Sequence, residues 1–371
     1  MKALVSQSFA ARRGERVVVG MSGGVDSSVA AAMLVEAGYD VVGISMRLWG
    51  GDSDGGCCSL DDFLDARCVA THLGIPFYVM DFRDAFEAHV VRPFVAEYLQ
   101  GRTPNPCTRC NQFVKFASFW DRARELGAQW VATGHYARVR RDAQSGAAEL
   151  WCAVDDAKDQ SYYLFAMRPD VLAWTLFPLG DSKKDEVRVR ARQLGLPVAD
   201  KPDSQEICFA PDRNYAAFVD RWAGRPSPSG AIVDETGEVV GRHAGVHRFT
   251  VGQRRGLGLS HGEPLYVTAI DATTQTVRVG PRSSTVAAGL VANRVNWLCA
   301  APVAAGTRLR LKIRSRFAPC DVTLEEATRE HFVVRAEAGL SAVTPGQAAV
   351  LYDGERVMGG GWIEQALACP A

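Results

Sequence analysis

Hydrophobic and polar positions follow two different rhythms along this chain. From Arg16 to about Gly134, short β-branched runs of the kind that form buried parallel strands alternate with stretches whose apolar residues recur at helical spacing. Alternation of this kind predicts a parallel sheet covered by helices. The predicted strands are Val17–Gly20, Asp40–Arg47, Pro76–Met80 and Gln129–Gly134.

The pattern changes after these strands. Ala137 to Val154 alternates around Gln144-Ser145-Gly146, which predicts a hairpin, and beyond Pro211 glycines and prolines become frequent. From about Val291 nearly every segment is a short alternating strand, which predicts a small antiparallel barrel. We therefore expect an α/β protein with an N-terminal parallel-sheet, nucleotide-hydrolase-like domain at 1–210, a small central α+β domain at 211–285 and a C-terminal antiparallel β-barrel at 286–371.

Composition changes this picture little. The 42 basic residues equal the 42 acidic residues, so attraction to nucleic acid has to come from local patches and not from the global charge. No apolar stretch approaches the length that spans a membrane, and the first residues lack the order of a secretory signal. We expect a cytoplasmic protein with no membrane partner, in which most of the cysteines stay reduced.

The first candidate site is the loop Gly20–Ser28, which lies between a predicted strand and a predicted helix. Its glycines let backbone N–H groups close on an anion, and the helix dipole favours phosphate or pyrophosphate there. The chain has no Gly-Lys pair, which excludes a Walker A loop, and the glycine spacing is not that of a dinucleotide site. The segment Ser22–Ser27 resembles the pyrophosphate loop of ATP pyrophosphatases, which split ATP between its α and β phosphates. A helix cap without a ligand is the structural alternative.

The second candidate site contains thiols. Cys107 and Cys110 lie in a proline-rich loop before a helix predicted to start near Gln112. The helix N-terminus and the neighbouring Arg109 both favour the thiolate, which is the reactive and metal-binding form. A structural zinc site is the alternative, but it needs two more ligands, and the adjacent pair Cys57-Cys58 lacks the usual spacing.

Two basic segments are candidates for RNA binding. Arg308–Arg316 carries a cation at every second position, so that on a strand five cations would share one face and phosphates would offset their repulsion. Gly241–Gly262 carries four arginines and three histidines and no acidic residue. The alternatives are a solvated barrel face partnered by acids on neighbouring strands and a basic loop without a partner.

Taken together, these motifs resemble those of the bacterial tRNA-specific 2-thiouridylases, a family within the pyrophosphate-loop superfamily. They occur in the family's order and cover nearly the whole chain. The matching segments are Gly20–Ser28, Asn105–Cys107 with Cys110-Asn111, Thr133–Tyr136, Lys158–Tyr162, Asp203–Phe209 and Thr344–Gln347.

The resemblance implies a sulfurtransferase that replaces the C2 oxygen of the wobble uridine of tRNA with sulfur. Because that oxygen is a poor leaving group, ATP first adenylates it and releases pyrophosphate, and attack by sulfur then expels AMP. By the family pattern Cys208 carries the sulfur as a persulfide, and attack by Cys110 completes the transfer and leaves a Cys110–Cys208 disulfide. The implied cofactors are ATP and Mg²⁺, and the implied partners are tRNA and a sulfur-relay protein or cysteine desulfurase.

The resemblance also assigns individual residues. The expected catalytic residues are Asp26, Cys110 and Cys208. The residues expected to bind ATP are Gly20, Met21, Ser22, Gly23, Gly24, Val25, Asp26, Ser27, Met46 and Gly134. Those expected to contact tRNA are Asn105, Pro106, Cys107, His135, Lys158, Asp159, Gln160, Arg314, Ser315 and Gln347.

Cys107 departs from the family pattern, since many members have aspartate at this position. Three thiols could then converge, and we hypothesise that Cys107, Cys110 and Cys208 hold a [4Fe–4S] cluster with one iron open to sulfide. This route and the persulfide route give the same product, and the sequence does not separate them.

Two other function classes remain open at this stage. A pyrophosphate-loop ligase that adenylates a small carboxylate or uses ammonia would explain Gly20–Ser28, but not the cysteines or the basic segment. A non-enzymatic RNA- or metal-binding adaptor would explain the basic segment, but not why Ser22, Asp26 and both thiols are intact. Formation of 2-thiouridine together with AMP distinguishes the first reading from both alternatives.

Overall fold

The structure, a computed structural model, describes residues 13–50, 59–203, 207–210, 214–224, 227–259 and 262–369. The pair Cys57-Cys58 lies outside the described residues, as do Ser260 and His261 of the basic segment Gly241–Gly262. The chain divides into two compact units. The first comprises Met1–His89, Cys107–Arg213 and Glu355–Val357, and the second comprises Val90–Pro106, Asn214–Gly354 and Met358–Ala371.

A five-stranded parallel sheet forms the centre of the first unit, with β1 in the middle and the order β3-β2-β1-β4-β7. This confirms the predicted parallel sheet. The strands are β1 Arg16–Gly20, β2 Asp40–Arg47, β3 Phe77–Asp81, β4 Trp130–Thr133 and β7 Thr175–Leu176. Strand β7 is the one strand of this sheet that the sequence pattern did not indicate, because two residues are too few to show a period.

Helix α1, Val25–Glu36, follows β1 and is buried at nine of its twelve positions, where it packs in the core beside Val17 and Val19. Helix α2, Leu60–Leu73, begins with a capping box between Ser59 and Asp62. None of the described helices is long and apolar enough to cross a membrane. The remaining helices that lie wholly in this unit are α3 Arg83–Phe86, α6 Phe119–Glu125, α7 Ser161–Leu164, α8 Pro169–Leu172 and α9 Lys184–Gln193.

The predicted hairpin is present as β5, Arg138–Arg141, and β6, Ala148–Trp151. The late segment Glu355–Val357 also belongs to this unit. Arg138 donates to Glu355 at 2.9 Å, and Arg356 pairs with Glu149 at 2.9 Å, so two ion pairs tie the segment to the hairpin.

The helix that carries Cys107 and Cys110 starts earlier than the sequence predicted. It begins with α5, Pro106–Arg109, continues as a π-helical segment over Cys110–Ser118 and leads into α6. Proline fits the first turn of a helix, because its missing N–H has no partner there, which explains the early start. Both cysteines are therefore helical residues and not loop residues, and Cys110 is the first residue of a π-helical turn, a feature often found at functional sites.

The second unit holds a mixed four-stranded sheet and an antiparallel barrel. Its central sheet has the order β10-β11-β8-β9 and encloses a small core of Ile232, Val267 and Val277. The last six strands form an antiparallel barrel that the pairing of β12 with β17 closes, which confirms the predicted barrel. The elements are α4 Arg92–Leu99, α10 Tyr215–Ala223, β8 Gly230–Val233, β9 Val239–His243, β10 Tyr266–Asp271, β11 Thr276–Gly280, β12 Val286–Trp297, β13 Arg308–Lys312, β14 Cys320–Ala327, β15 His331–Ser341, β16 Ala348–Asp353 and β17 Arg356–Leu367.

Candidate functional site

The loop Gly20–Ser28 begins at the carboxyl end of the central strand. Gly20 pairs with Ile44 of β2 on one side and with Thr133 of β4 on the other. A Cβ atom built on Gly20 would lie 3.3 Å from Cε of Met46. The structure therefore brings Met46 and the loop together at one edge of the sheet, where ligands of parallel α/β sheets usually bind.

Two glycines of this site have no room for a side chain. Gly23 has φ +70°, and a Cβ atom there would lie 2.3 Å from the backbone oxygen of Asp62 at the start of α2. A Cβ atom on Gly134 would lie 2.6 Å from the backbone nitrogen of Ser27. Because only glycine permits both approaches, α2 and the end of β4 can press directly against the loop.

Hydrogen bonds within the loop hold its shape. Ser22 N donates to Ser27 Oγ at 3.1 Å, and Ser27 Oγ lies 3.2 Å from the carbonyl oxygen of Gly24. Gly24 is the N-cap of α1 and supplies no side-chain cap. The first turn of α1 therefore presents backbone N–H groups and a positive dipole end in the manner of an anion site.

Asp26 lies in an ion pair that sequence reasoning missed. Lys184 Nζ donates to both carboxylate oxygens of Asp26, at 2.7 and 2.8 Å, and Tyr136 Oη donates to Asp26 Oδ1 at 2.8 Å. The Lys184 side chain is only 10% exposed. Burial and the negative charge of Asp26 raise the pKa of Tyr136, which keeps its hydroxyl protonated as a donor.

Asp203 joins the same network. Its Oδ1 lies 2.8 Å from Lys184 Nζ and 3.0 Å from Arg188 Nη2, and its Oδ2 accepts a hydrogen bond from Lys158 Nζ at 2.8 Å. Burial alone would raise the pKa of Asp203, but hydrogen bonds and charges from Lys158 and Lys184 lower it to about 2. The carboxylate therefore stays ionised and joins three cations at neutral pH.

The three thiols have different surroundings. Cys110 is buried, Cys208 is half-buried and Cys107 is exposed, and no disulfide joins them. Desolvation raises the pKa of Cys107, and Lys115 lowers it in part. The Cys107 side chain itself is exposed, so the preference for the thiolate at the helix start stays a prediction.

The predicted metal clusters find no support in the described part of the chain. There, no three Cys, His, Asp or Glu side chains are grouped as a metal ion would require, although Cys107, Cys110 and Cys208 are all described. The described residues therefore show no grouped ligand set for a [4Fe–4S] cluster, and the zinc alternative stays untested, because Cys57-Cys58 lie outside the described residues.

An aromatic cluster fixes the chain directly after Cys208. Phe209 is 2% exposed, and its ring lies edge-on to Phe86 and Trp49, with centroid distances of 5.6 and 6.1 Å. Edge-to-face pairs at such distances stabilise beyond their buried area. The backbone beside the Cys208 thiol is therefore anchored in the first unit.

Several residues predicted to contact tRNA are used within the first unit. Asp159 accepts hydrogen bonds from the backbone N–H groups of Ala153 and Ser161, at 3.0 and 3.2 Å. Gln160 exchanges two hydrogen bonds with the backbone of Tyr136, both 2.9 Å long. The hydrogen bonds of these two residues therefore stabilise the turn that contains Lys158.

His135 lies at the end of β4, where its Nδ1 is 2.7 Å from Thr133 Oγ1. Burial lowers the pKa of His135 well below its ordinary value, and the nearby charge of Lys115 lowers it further. The ring is therefore neutral at physiological pH and acts as a hydrogen-bonding group and not as a cation.

The second unit holds the other predicted RNA contacts. Gln347 Nε2 donates to the carbonyl oxygens of Thr103 and Pro104, at 3.0 and 3.1 Å. Asn105 and Pro106, which follow in the chain, are buried. Gln347 therefore supports the loop that leads towards the cysteine helix.

The basic strand is shorter than predicted. Strand β13 ends at Lys312, and Arg314 and Arg316 lie in the following turn, so the five cations do not share one strand face. The chain turns there, and Arg314 Nη2 donates to the carbonyl oxygen of Ser341 at 3.0 Å. Arg308 is 81% exposed and lies 3.3 Å from Glu337, so the alternative of an acid-partnered barrel face holds at this position.

The most informative residues that the sequence analysis missed are Lys184 and Asp203. Lys184 is the first residue of α9, in a Lys-Lys-Asp-Glu run that reads as an ordinary charged helix start. Asp203 lies in the family-like segment Asp203–Phe209, but no functional role was predicted for it. No local signal pairs either of them with Asp26, since the partners are far apart in sequence.

Comparisons with known proteins cover almost all of the chain. Family models described as tRNA methyl transferase HUP domain, tRNA methyl transferase PRC-barrel domain and Aminomethyltransferase beta-barrel domain match residues 15–212, 217–281 and 287–363. A solved structure of the U34-tRNA thiolase NcsA from Methanococcus maripaludis with its [4Fe-4S] cluster matches with a TM-score of 0.37 and 18% identity, over 60% of this chain and 69% of that chain. A similarity of that size carries no inference for this chain.

Curated relatives are much closer. The tRNA-specific 2-thiouridylase MnmA of Geotalea uraniireducens is 50% identical over 95% of this chain and 96% of its own length. The protein of the same name from Clostridioides difficile is 42% identical over 95% of this chain and 99% of its own length. With identity of this level along nearly the whole of both chains, this chain belongs to the tRNA-specific 2-thiouridylase family.

Proposed function

We propose that this protein is a sulfurtransferase that thiolates C2 of the wobble uridine of tRNA at the expense of ATP. The observation that carries the proposal is the ion-pair chain Asp26–Lys184–Asp203, which connects the phosphate loop to the segment that bears Cys208. Family membership supports the same reading, since the relatives are named as tRNA-specific 2-thiouridylases.

In the first step, the C2 oxygen of uridine attacks the α-phosphorus of MgATP, and the bond to the β-phosphate breaks. The loop Gly20–Ser28 holds the leaving pyrophosphate through its backbone N–H groups. Met46 and Gly134 lie beside the loop and are assigned to the adenosine part of ATP. Mg²⁺ enters as part of the MgATP substrate, and the Asp26 carboxylate is paired with Lys184.

In the second step, the terminal sulfur of a Cys208 persulfide attacks C2, and AMP leaves with the former C2 oxygen. Cys110 then attacks the sulfur of Cys208, which releases the transferred sulfur on the base and forms a Cys110–Cys208 disulfide. The two cysteines supply the two electrons that reduce the persulfide sulfur, and an external thiol reductant must restore them.

The iron–sulfur route remains the alternative hypothesis for sulfur delivery. It requires Cys107, Cys110 and Cys208 to meet around one cluster, and the described residues do not group them in that way. We therefore derive no step through a cluster. Anaerobic purification followed by iron and sulfide analysis tests this alternative, and an iron-free and fully active enzyme refutes it.

The remaining assignments concern partners. Lys158, exposed in part beside Asp203, is proposed to contact the tRNA near the reacting base, and the exposed Arg314 is proposed to contact the RNA. A flipped, single-stranded base is the form in which RNA chemistry of this kind is performed. The persulfide on Cys208 requires a donor, and a sulfur-relay protein or a cysteine desulfurase would supply it.

The test is direct. The protein is incubated with unmodified tRNA, MgATP and a persulfide donor, and nucleosides are analysed by mass spectrometry while AMP is measured in parallel. We expect 2-thiouridine and AMP in equal amounts. AMP without a thiolated base would favour a ligase that adenylates another acceptor, and tRNA binding with neither product would favour an RNA-binding adaptor.

A further inference from the structure

Residues 199–203, which precede Cys208 in the chain, are held at several points. Arg188 Nη1 donates to the carbonyl oxygens of Ala199 and Lys201, at 3.2 and 3.1 Å. Lys201 Nζ reaches Asp62 and Asp65 of α2, at 2.7 and 2.6 Å. Because Asp62 also presses against Gly23, this stretch of chain is fastened to the helix that borders the phosphate loop.

The last described residue of that stretch is Asp203. It shares the Lys184 ammonium group with Asp26, and Lys184 has three N–H donors for the two oxygens of Asp26 and for Asp203 Oδ1. The Asp203 side chain is 25% exposed, which limits the screening of these charges by water. The ammonium group of Lys184 therefore links Asp26 of the phosphate loop to Asp203.

Phe209 supplies the second fixed point. It follows Cys208 directly, so the two Cα atoms are about 3.8 Å apart, and its ring is held by Phe86 and Trp49. Asp203 precedes Cys208 by five positions, and five residues span at most about 17–18 Å. Described residues on both sides of Cys208 are therefore held in place, Asp203 by an ion pair and Phe209 by an aromatic cluster.

We propose that Asp203 is a positioning residue for sulfur transfer: through Lys184 it ties the approach to Cys208 to the phosphate loop, so that the thiol meets the adenylated base. This inference rests on the proposed function. It assigns Asp203 to the second chemical step and not to adenylation, because the contacts of Asp26 to Lys184 and Tyr136 do not involve Asp203 and are expected to persist when Asp203 is changed.

A misplaced thiol has a measurable consequence. If the persulfide does not reach C2 in time, water attacks the adenylated base, and the products are unmodified uridine and AMP. ATP is then consumed without thiolation. The ratio of AMP to 2-thiouridine therefore reports how well Cys208 is placed, while total AMP formation reports adenylation.

The test compares Asp203→Asn with the wild-type full chain on unmodified tRNA, MgATP and a persulfide donor. We expect the ratio of AMP to 2-thiouridine to rise about tenfold, equivalent to ~1.4 kcal/mol, with AMP formation itself within about threefold of wild type. Asp203→Glu, which keeps the charge, is expected to restore the ratio in large part. The matched control is Asp200→Asn, because Asp200 lies three positions earlier and forms an exposed pair with Arg192.

A second measurement needs no tRNA. Mild oxidation with diamide, followed by mass spectrometry of unreduced peptides, gives the rate at which Cys110 and Cys208 form a disulfide. We expect Asp203→Asn to slow this rate about tenfold, since the thiol samples a larger volume once one anchor is lost. Circular dichroism checks that the variant is folded. Arg188→Met, which removes contacts to Asp203 and to the carbonyl oxygens of Ala199 and Lys201, is expected to slow the oxidation as well.

The outcomes distinguish a failure of the proposed function from a failure of the positioning role of Asp203. Wild-type protein that makes no 2-thiouridine would contradict the proposed function, while the oxidation rate would still test the placement of Cys208. An Asp203→Asn variant with a wild-type ratio and a wild-type oxidation rate would overturn the positioning role. Loss of AMP formation to the same extent as thiolation would also overturn it, because Asp203 would then belong to adenylation.

Discussion

The ammonium group of Lys184 and the carboxylate of Asp26 form a two-pronged ion pair, although 158 positions separate them in sequence. Asp26 stands in the first turn of α1, and Lys184 is the first residue of α9. The pair therefore joins two helix starts at the phosphate loop. Removing one partner of such a buried pair costs more than the pair itself contributes, because the other charge is left without compensation.

Asp26→Ala is expected to lower AMP formation about a hundredfold, the range seen when one preorganised charged group is removed from an active site. Lys184 would lose both of its contacts to Asp26 and shift its position beside the loop. The measurement is AMP release in the presence of unmodified tRNA. Asp40→Ala, which removes an exposed pair with Arg16, is the control, and undiminished AMP release by Asp26→Ala would refute the assignment.

Cys110→Ser and Cys208→Ser are each expected to abolish formation of 2-thiouridine, because a hydroxyl neither carries a persulfide nor attacks one. Affinity for tRNA, measured by filter binding at fixed salt, is expected to stay within about threefold of wild type. Cys68→Ser is the control, since Cys68 lies exposed on α2. Wild-type turnover by either variant would show that its assigned role is wrong.

Gly23→Ala is expected to abolish ATP binding, because its Cβ would lie 2.3 Å from the backbone oxygen of Asp62 and α2 would have to move. Gly224 provides a matched control. It has φ +65° against +70° at Gly23, but a Cβ there meets nothing within 4 Å. Gly224→Ala should therefore show only the backbone strain, about 1 kcal/mol by urea denaturation, with normal ATP binding by calorimetry. Equal loss of ATP binding in both variants would contradict the steric argument.

His135 should make stability depend on pH. Its pKa in the folded chain lies well below the value of 6.5 expected when unfolded, so between these values the unfolded state binds a proton that the folded state does not. The free energy of unfolding should therefore be full above pH 6.5 and fall as the pH is lowered, by up to about 1.4 kcal/mol per unit.

Urea denaturation of wild type and His135→Asn between pH 7.5 and 5 measures this effect. The variant is expected to show the shallower dependence, and the difference between the two slopes isolates the one histidine. His72→Asn, at an exposed position, is the control. A variant with the wild-type slope would mean that His135 binds its proton normally in the folded chain.

Gln347→Leu tests whether Gln347 serves the fold as well as the RNA. The substitution leaves the carbonyl oxygens of Thr103 and Pro104 without their amide donor, which is expected to cost about 1–3 kcal/mol of unfolding free energy. Gln365→Leu, at an exposed position on β17, is the control and should be close to neutral. A fully stable Gln347→Leu protein with weakened tRNA binding would instead indicate that the side chain serves the RNA alone.

The fold was predictable where local pattern decides it. The β-branched runs marked the four longer strands of the parallel sheet, and the alternation after Val291 marked the barrel. The start of the cysteine helix was missed, because a helix that opens on Pro106 and continues with π-helical geometry has no simple apolar period. The end of β13 was missed for a similar reason, since alternating cations continue beyond the turn.

The site was predictable only in part. The glycines and serines of the loop indicate a phosphate site through their own conformational properties. The partners of Asp26, in contrast, depend on which helices the tertiary fold brings beside α1. Lys184 and Asp203 carry no local mark of their roles.

The segment Glu355–Val357 has a consequence for how the protein is made. A ribosome delivers the first unit almost entirely before residue 214, yet Arg138 and Glu149 receive their partners Glu355 and Arg356 only when the chain is nearly finished. During synthesis, the Arg138 guanidinium and the Glu149 carboxylate therefore lack these ionic partners until more than a hundred further residues have been added. A fragment of the first unit that ended before Glu355 would lack both ion pairs.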